Sequence, residues 1–434
     1  MKRPIGIDLF AGAGGMSLGF EQAGFDIVAA VEIDPIHCAT HEYNFPNCKT
    51  ICASVVDLSG DEIRSISGIG NQDVDVVFGG APCQGFSMIG KRALDDTRNQ
   101  LVFHYVRIVR EIKPKYCVFE NVKGLTLGKH AQFLSELIEA LREAGYDVAL
   151  PYKVLNAANF GVPQSRERLF LMAARNDQKL PDYAEPMIGD HVNVHDAISD
   201  LPNADDFEEL KENDSVELSW DTTANYAAKL RGFVNDPLDF SYPRKFDSNL
   251  LTCSLRTEHT DKSKDRFKNT TPGKTEPISR FLRLDPKGLC NTLRAGTDSA
   301  RGAHTSPRPI HPIHARVLTV REAARLHSYP DWFRMHSTKW HGFRQIGNSV
   351  PPLLGRAVAS SVIQALEINP VKPSKVIELG NPAFLCMNMG QAAEYFSVAK
   401  TVIAQRTRKK IEIDTDENSA PVQGSIDMLF ELEN

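Results

Sequence analysis

Residues 5–15, with the sequence IGIDLFAGAGG, decide the fold of this chain. A strand-like apolar run enters a glycine-rich turn, and a helix-like stretch follows at 16–23. Glycine lets a backbone turn sharply and lets a ligand approach it closely. About 20 residues further on, the next apolar run ends at Glu32, where an acidic side chain suits ribose hydroxyls. The pattern predicts a nucleoside cofactor, and a tight strand–helix turn without a ligand is the plainer alternative.

The glycine spacing bears on which nucleoside is bound. Ser17 stands where the third glycine of a dinucleotide-binding turn would fall. The spacing therefore disfavours NAD as the cofactor. The glycine turn alone is not sufficient to distinguish NAD from S-adenosylmethionine.

Residues 4–175 alternate short apolar runs with helix-like stretches. Strands joined through helices form a parallel sheet that is covered on both faces, and ligands bind at the carboxyl ends of its strands. The alternation predicts an α/β fold with a mostly parallel sheet and helices on both faces. The predicted strands are IGIDLF, IVAAVEI, VDVVFGG, YCVFENV and RLFLMAA, and the predicted helices cover 16–23, 100–112 and 131–144.

The alternation stops near residue 175, and residues 176–312 predict an inserted, loop-rich region. Charge divides that region: residues 190–221 hold 11 Asp and Glu against one Lys, whereas residues 243–316 hold 15 Lys and Arg against 7 Asp and Glu. A chain with a net charge of −5 can thus still present one basic face to phosphate. A solvated loop region is the alternative. Regular structure resumes near Val317, with a helix predicted at 353–366.

The composition is typical of a soluble globular protein and disfavours a membrane-spanning, disulfide-rich or zinc-binding one. A hydrophobic content of 42% and a charged content of 24% are ordinary for a soluble globular protein. No run approaches the ~20 apolar residues of a membrane span. Because the basic start leads directly into a strand-like segment, we expect no signal peptide. The eight cysteines form no C-x-x-C pair and no zinc-like cluster. Free thiols in a reducing cytoplasm are therefore expected, without a metal site.

Reactive side chains lie next to three of the predicted strands. Cys83 follows VDVVF in the loop GGAPCQ, and Glu120 lies near the end of YCVFENV. Arg166 and Arg168 lie in QSRER, which precedes the apolar run LFLMAA. Each has a plainer explanation: a structural thiol, a helix cap and a surface salt-bridge ladder. Together they fit alkylation of a poor carbon nucleophile. Addition of a thiolate at cytosine C6, with protonation at N3, makes C5 an enamine-like carbon that attacks a methyl sulfonium.

The motifs resemble those of the DNA cytosine-5 methyltransferase family of the bacterial restriction–modification type, and they follow in that family's order. The resemblance covers nearly all of 4–175 and 313–365. It is most specific in Pro-Cys-Gln, Glu-Asn-Val, Gln-x-Arg-x-Arg and Gly-Asn-Ser-Val-Pro-Pro. It implies a Rossmann-like S-adenosylmethionine-dependent methyltransferase domain and a loop-rich target-recognition domain. The C-terminal extension lies outside the family's pattern, and its composition predicts partial disorder. The corresponding ranges are 1–184 with 330–370, 185–329, and 371–434 with an amphipathic stretch at 390–405 and a basic cluster at 406–410.

The resemblance implies a role for each motif residue. Cys83 would be the nucleophile at C6, Glu120 would contact N3 and the exocyclic amine, and Asn121 would orient the loop. Arg166 and Arg168 would hold the base and support the cysteine. The residues implied for S-adenosylmethionine are Phe10, Gly12, Gly14, Glu32 at the ribose, Asp57 at the adenine amine, Pro82, Leu101, Asn348 and Val350.

The resemblance also implies double-stranded DNA as the partner. The segment 84–99, including Gln84 and Ser87, would close over a cytosine that is flipped out of the duplex. The basic half of the inserted region, 244–308, would contact DNA, with Arg294 and Arg301 as candidate readers of base or phosphate. A monomer in the cytoplasm, without a membrane partner, is expected. A cognate restriction endonuclease would act on the same site.

Three other functions compete with this one. A tRNA-directed member of the same family would share the chemistry, but the large inserted region fits DNA recognition better. A catalytically inactive homologue would lack the cysteine or the glutamate, and both are present. An NAD-dependent oxidoreductase would have no use for Pro-Cys-Gln together with the arginine pair.

Arg→Ala substitutions across 244–308 should therefore alter target choice or salt dependence more than cofactor affinity. Each lost phosphate contact should lower the slope of log K against log salt by about 1. Binding of a duplex at several salt concentrations, beside cofactor binding by the same variants, measures this. Unchanged DNA binding across the whole series would refute the assignment of this region.

Overall fold

One sheet of eight strands organises the first part of the chain. The computed structural model describes residues 2–82, 100–126, 130–296 and 308–403. The strands of the sheet are β1 (Ile5–Leu9), β2 (Asp26–Glu32), β3 (Lys49–Cys52), β4 (Val76–Gly79), β5 (Tyr116–Val122), β6 (Tyr146–Val148), β7 (Lys153–Asn156) and β8 (Glu167–Arg175). Their order is β3-β2-β1-β4-β5-β8-β6, and β7 pairs with β8.

The predicted fold class is confirmed, and one strand adds a reversal of direction. β1 to β5 pair in parallel, whereas β8 is antiparallel to β5, β6 and β7. A parallel neighbour needs a crossover helix, but β7 reaches β8 through a 3-10 turn at Ala157–Phe160. The strand RLFLMAA therefore begins at the edge where β5 ends.

Helices cover both faces of the sheet. Ile7 and Leu9 of β1 point into the apolar core on one face, and a second apolar core lies on the opposite face. The helices before β8 are α1 (Gly15–Ala23), α2 (Pro35–Asn44), α3 (Gly60–Ser67), α4 (Gln100–Ile112) and α5 (His130–Glu143). Those after it are α6 (Val194–Ile198), α7 (Asn225–Leu230), α8 (Asp261–Asn269), α9 (Val320–Leu326), α10 (Lys339–Asn348), α11 (Pro352–Ala365) and α12 (Met389–Tyr395).

The strand order reverses between β1 and β4. Such a reversal opens a crevice at the carboxyl ends of the strands, where ligands bind in α/β sheets. The glycine turn that follows β1 and the GGAP segment that ends β4 flank this crevice.

The inserted region consists of short elements on the α11 side of the sheet. Ile198, Leu284 and Cys290 belong to the same apolar core as α11. Residues up to Val402 form one compact unit, and the expected bounds of a separate recognition domain remain a prediction. The strands of this region are β9 (Val216–Glu217), β10 (Arg244–Lys245) and β11 (Leu250–Leu251).

The beginning of the C-terminal extension packs on the part of the fold that contains the sheet. The two-residue strand β12 (Ile377–Glu378) pairs with β10, and Tyr395 donates a hydrogen bond to Glu42 of α2. The helix α12 ends at Tyr395, so it is shorter than the amphipathic stretch predicted at 390–405. The basic cluster at 406–410 and the acidic end lie outside the described residues.

Among the helices in the described ranges, none has the length and the apolar character that a membrane crossing requires.

Close packing of α1 on α11 ties the end of the fold to its beginning. A Cβ added at Gly19 would lie 2.7 Å from the backbone nitrogen of Arg356 and 2.7 Å from the carbonyl oxygen of Pro352. Only a residue without a side chain allows the two helix backbones this contact.

Gly19→Val should therefore lower the free energy of unfolding by about 2–3 kcal/mol through overpacking. The matched control is Gly124→Val, at an exposed position where an added Cβ would meet no atom closer than 4.0 Å. Urea denaturation of both variants beside the parent chain measures the difference. Equal midpoints for Gly19→Val and the parent chain would contradict the packing argument.

Candidate active site

A carboxylate and a guanidinium meet at the carboxyl end of β5. Glu120 lies on β5, and β8 pairs with β5 so that Arg168 is opposite Val122. The Nε of Arg168 is 3.0 Å from Oε1 of Glu120, and each side chain is 13% exposed. Because β8 runs antiparallel to β5, the side chains of Arg168 and Glu120, both predicted to belong to the site, are in contact.

Burial controls how Glu120 holds a proton. Desolvation raises the pKa of Glu120 above its ordinary value, and the positive charges of Arg168 and Arg166 oppose that rise. Burial also lowers the pKa of Arg168, and Glu120 opposes that fall. A carboxyl with a raised pKa can hold and deliver a proton closer to neutral pH than an exposed glutamate can.

Two glycines at the end of β4 make room for this arrangement. A Cβ at Gly79 would lie 2.0 Å from the carbonyl oxygen of Leu9, so any side chain would push β4 away from β1. A Cβ at Gly80 would lie 2.3 Å from Oε2 of Glu120. Glycine at position 80 therefore lets the Glu120 carboxylate reach the start of the loop.

Asn121 links β5 to the same loop. Its Nδ2 donates a hydrogen bond of 3.0 Å to the carbonyl oxygen of Ala81, two residues before Cys83. Pro82 is exposed next to it. Cys83, Gln84 and Ser87 lie outside the described residues, as does the whole segment 84–99.

Arg166 lies inside the protein, with 1% exposure. It donates hydrogen bonds to the carbonyl oxygens of Leu293 at 2.7 Å, Gly347 at 2.8 Å and Ser349 at 2.8 Å. Its Nε has no acceptor among the described residues. In this structure Arg166 thus holds backbone segments together beside Glu120, whereas Arg168 contacts Glu120 directly.

The glycine turn and the end of β2 are joined through Glu32. Oε2 of Glu32 accepts from the Gly12 amide at 2.9 Å, and Oε1 accepts from the Asp34 amide at 2.8 Å. Phe10 has a φ of 64°, which holds the chain in the left-handed region just before the turn. An added Cβ at Gly12 would meet no atom within 4 Å, so the turn faces open space there.

These residues fit an adenosine group better than a pyrophosphate. Glu32 is partly exposed, and each of its oxygens keeps a lone pair that can accept from a ribose hydroxyl. The Gly12 amide, which a phosphate would need, already donates to that carboxylate. Asp57 is exposed in the turn after β3, and α4 holds this turn through hydrogen bonds from Arg107 to the Val55 and Leu58 carbonyls.

The loop after α10 closes the other side of the glycine turn. A Cβ at Gly15 would lie 2.5 Å from the carbonyl oxygen of Val350. Val350 is therefore next to the start of α1, and Asn348 is exposed two residues earlier. Gly14 packs under the turn, because a Cβ there would lie 2.4 Å from the Phe45 ring. Leu101 is partly buried near the start of α4.

A buried polar chain lies beneath the glycine turn. Oγ of Ser17 is 2.6 Å from Oδ2 of Asp8 and 3.1 Å from Nε2 of His41. Burial raises the pKa of Asp8 to about 8, and the hydrogen bond from Ser17 opposes that rise. Burial lowers the pKa of His41 to about 3. At neutral pH both groups are therefore mostly uncharged under the turn.

Sequence reasoning assigned no role to several positioning residues. Arg107 holds the Asp57 turn, and Gln164 and His327 hold the segments that Arg166 also contacts. The signal for Gln164 was its place at the head of the Gln-x-Arg-x-Arg motif. Arg107 had no such signal. Arg294 is exposed next to Leu293, and Arg301 lies outside the described residues.

In the ranges that the structure describes, no three His, Cys, Asp or Glu side chains are grouped so as to hold a metal ion.

The sequence matches one protein family over most of its length. The family described as C-5 cytosine-specific DNA methylase matches residues 5–364. Type II methyltransferase M.XorII from Xanthomonas oryzae pv. oryzae is 63% identical over 408 residues, which are 94% of this chain and 96% of that protein. Type II methyltransferase M1.HphI from Haemophilus parahaemolyticus is 35% identical over 363 residues, 82% of this chain and 86% of that protein.

Solved structures share the fold. A crystal structure described as a DNA modification methyltransferase encoded within an E. coli prophage matches with a TM-score of 0.71 and 34% identity, over 84% of this chain and 100% of that one. The S. pombe Dnmt2 methyltransferase matches with a TM-score of 0.52 and 18% identity, over 84% of this chain and 100% of that one. This second likeness concerns the fold alone.

The raised pKa of Asp8 predicts a pH-dependent stability. A carboxyl whose pKa rises from 3.8 to about 8 on folding contributes stability that is full below pH 3.8 and is lost as the pH rises through 8. Asp8→Asn removes this titration. As the pH rises from 5 to 8, the free energy of unfolding of the variant should therefore increase relative to that of the parent chain. The increase should be up to about 1.4 kcal/mol per pH unit.

Urea denaturation at several pH values measures the difference. Asp147→Asn, at an exposed position in β6, is the matched control and should follow the parent chain. Parallel curves for Asp8→Asn and the parent chain would show that folding does not raise the pKa of Asp8, because the folded and unfolded states would then bind the same number of protons.

Proposed function

Because this chain belongs to the C-5 cytosine-specific DNA methylase family, we propose that it methylates C5 of one cytosine within a short double-stranded DNA sequence. The chain is a DNA cytosine-5 methyltransferase of the restriction–modification type. The finer proposal concerns its mechanism: attack by Cys83 at C6 of a flipped base, with S-adenosylmethionine as the methyl donor.

The observation that carries the mechanism is the Glu120–Arg168 pair at the head of the Cys83 loop. Glu120 lies against Gly80, and Asn121 holds the Ala81 carbonyl. These contacts are with residues three and two positions before the cysteine. This supports a site in which a cytosine meets a thiolate on one side and a proton-holding carboxyl on the other.

Cys83 would add through its thiolate to C6, forming an Sγ–C6 bond. An unperturbed thiol has a pKa of about 8.5, so only a few per cent is thiolate at neutral pH. Glu120 would deliver or share its proton at N3, which lets the ring accept the electron pair of the attacking sulfur. C5 then becomes nucleophilic. After methylation, C5 would lose its proton to a base, Cys83 would leave as its thiolate, and the N3 proton would return to Glu120, which restores the aromatic ring.

The two charged neighbours would serve different purposes. Arg168 would hold the Glu120 carboxyl in place and remain close enough to contact the base. Arg166, which is buried against three carbonyl oxygens, would hold the wall of the site. Asn121 would fix the backbone from which Cys83 projects.

The glycine turn would hold the methyl donor. S-adenosylmethionine would supply a methyl group on a positively charged sulfonium, an electrophile that needs no metal ion to react. Glu32 would accept from the ribose hydroxyls and Asp57 from the adenine amine. The remaining contacts would come from Phe10, Gly12, Gly14, Pro82, Leu101, Asn348 and Val350.

DNA would be bound at the same edge of the sheet. The segment 84–99, with Gln84 and Ser87, would close over a cytosine extruded from the duplex, which costs a few kcal/mol in lost stacking and pairing. The exposed Arg294 would contact base or phosphate, and so would Arg301. We expect a monomer in the cytoplasm that protects DNA from a cognate restriction endonuclease.

The test is bisulfite sequencing of plasmid DNA from bacteria that express this chain, beside a Cys83→Ser control. Protected cytosines should recur in one short motif in the first culture. They should be absent with Cys83→Ser, because serine is too poor a nucleophile at C6, and that variant should still bind DNA.

Two outcomes would contradict the proposal. Near-normal protection by Cys83→Ser would exclude the covalent mechanism. Absence of protection by the well-expressed parent chain would exclude a DNA substrate, and tRNA from the same cells would then be examined for 5-methylcytosine.

A further inference from the structure

A buried polar cluster lies between a segment that is expected to contact DNA and a segment that is expected to contact the cofactor. The first, 293–296, begins at Leu293 and carries the exposed Arg294, a candidate DNA-contacting residue. The second, 347–350, carries the expected cofactor residues Asn348 and Val350. The cluster between them consists of Gln164, Arg166 and His327, which are exposed by 0%, 1% and 0%.

Both polar groups of the Leu293 backbone are bound by this cluster. Oε1 of Gln164 accepts from the Leu293 amide at 3.1 Å, and Arg166 donates to the Leu293 carbonyl oxygen at 2.7 Å. The start of the first segment is therefore fixed from both sides.

The second segment is bound by the same side chains. Arg166 donates to the carbonyl oxygens of Gly347 and Ser349, each at 2.8 Å. Nε2 of His327 lies 3.1 Å from the Ser349 carbonyl oxygen. A Cβ at Gly347 would lie 2.1 Å from the backbone nitrogen of Ala295, so the two segments also touch directly.

The hydrogen bonds determine one tautomer of His327. Gln164 must present its oxygen to the Leu293 amide and its Nε2 to the Leu326 carbonyl oxygen, 3.2 Å away. That Nε2 also donates to Nδ1 of His327 at 2.9 Å. Nδ1 is thus an acceptor, so Nε2 carries the proton and donates to Ser349. Burial lowers the pKa of His327 well below its ordinary value, so the ring is neutral.

We propose that Gln164 and His327 are positioning residues that couple binding of the target DNA to binding of the methyl donor. Each ligand would order the segment on its own side. The series of hydrogen bonds from Leu293 through Gln164 and His327 to Ser349 would then restrict the motion of the other segment as well. The inference depends on the proposed function, since it assigns DNA to one segment and the cofactor to the other.

Coupling between two binding sites is reciprocal, so it can be measured from either side. The probe is S-adenosylhomocysteine, the demethylated product, which allows no turnover. Its affinity for the parent chain is measured with and without a duplex that carries the motif found by bisulfite sequencing. We expect the duplex to tighten this binding at least about 5-fold.

His327→Phe keeps an aromatic ring but removes both hydrogen bonds. It should bring the coupling factor close to 1 while changing the affinity without DNA by less than about threefold. His327→Gln can again accept from Gln164 and donate to Ser349, so it should restore the coupling. Thr292→Val is the matched control. It removes a 2.7 Å hydrogen bond from Thr292 to the Ser165 carbonyl, which does not reach 347–350.

Hydrogen–deuterium exchange of the parent chain gives a second test that needs no core substitution. Duplex should slow exchange in 347–350, and S-adenosylhomocysteine should slow it in 293–296. The proposal is overturned if each ligand protects only its own segment, or if folded His327→Phe keeps the parent coupling. A parent chain that binds no S-adenosylhomocysteine and protects no cytosine would instead refute the proposed function.

Discussion

The antiparallel pairing of β8 with β5 sets where the charged groups of the site can lie. Because β8 begins where β5 ends, Arg168 reaches Glu120, and Arg166, two residues earlier, turns into the interior. A parallel β8 would put both arginines at the opposite edge of the sheet. The carboxyl, the guanidinium and the loop that carries Cys83 share one edge through this single reversal of direction.

The charged side chains of Glu120, Arg166 and Arg168 are largely shielded from solvent in this arrangement. Loss of one partner of a buried ion pair leaves the other charge uncompensated, at a cost that reaches about 3–5 kcal/mol in full burial. Because residues 79 and 80 are glycines without side chains, β4 can pack against β1 and the Glu120 carboxylate can approach the loop. The site therefore combines a carboxyl of raised pKa with closely packed backbone, both of which suit proton transfer more than stability.

Sequence reasoning succeeded where hydrophobic pattern and motif coincide. The strands at 5–9, 26–32 and 116–122 and the helix at 100–112 were predicted closely, because apolar runs bounded by Gly or charge have few alternatives. It did not predict the direction of β8, which depends on a short connection rather than on the strand's own residues. The roles of Gln164 and His327 were also missed, since contacts across more than 160 positions leave no local pattern.

The central claim is that Cys83 forms a covalent bond to C6 of the target cytosine. A duplex with 5-fluorocytosine at the methylated position tests it directly, because after methyl transfer C5 carries no proton to lose and the Sγ–C6 bond cannot be released. With S-adenosylmethionine, the account predicts a denaturation-stable protein–DNA adduct, with the modified peptide containing Cys83. Normal methylation of the cytosine duplex without any adduct on the fluorinated one, or an adduct on another residue, would contradict it.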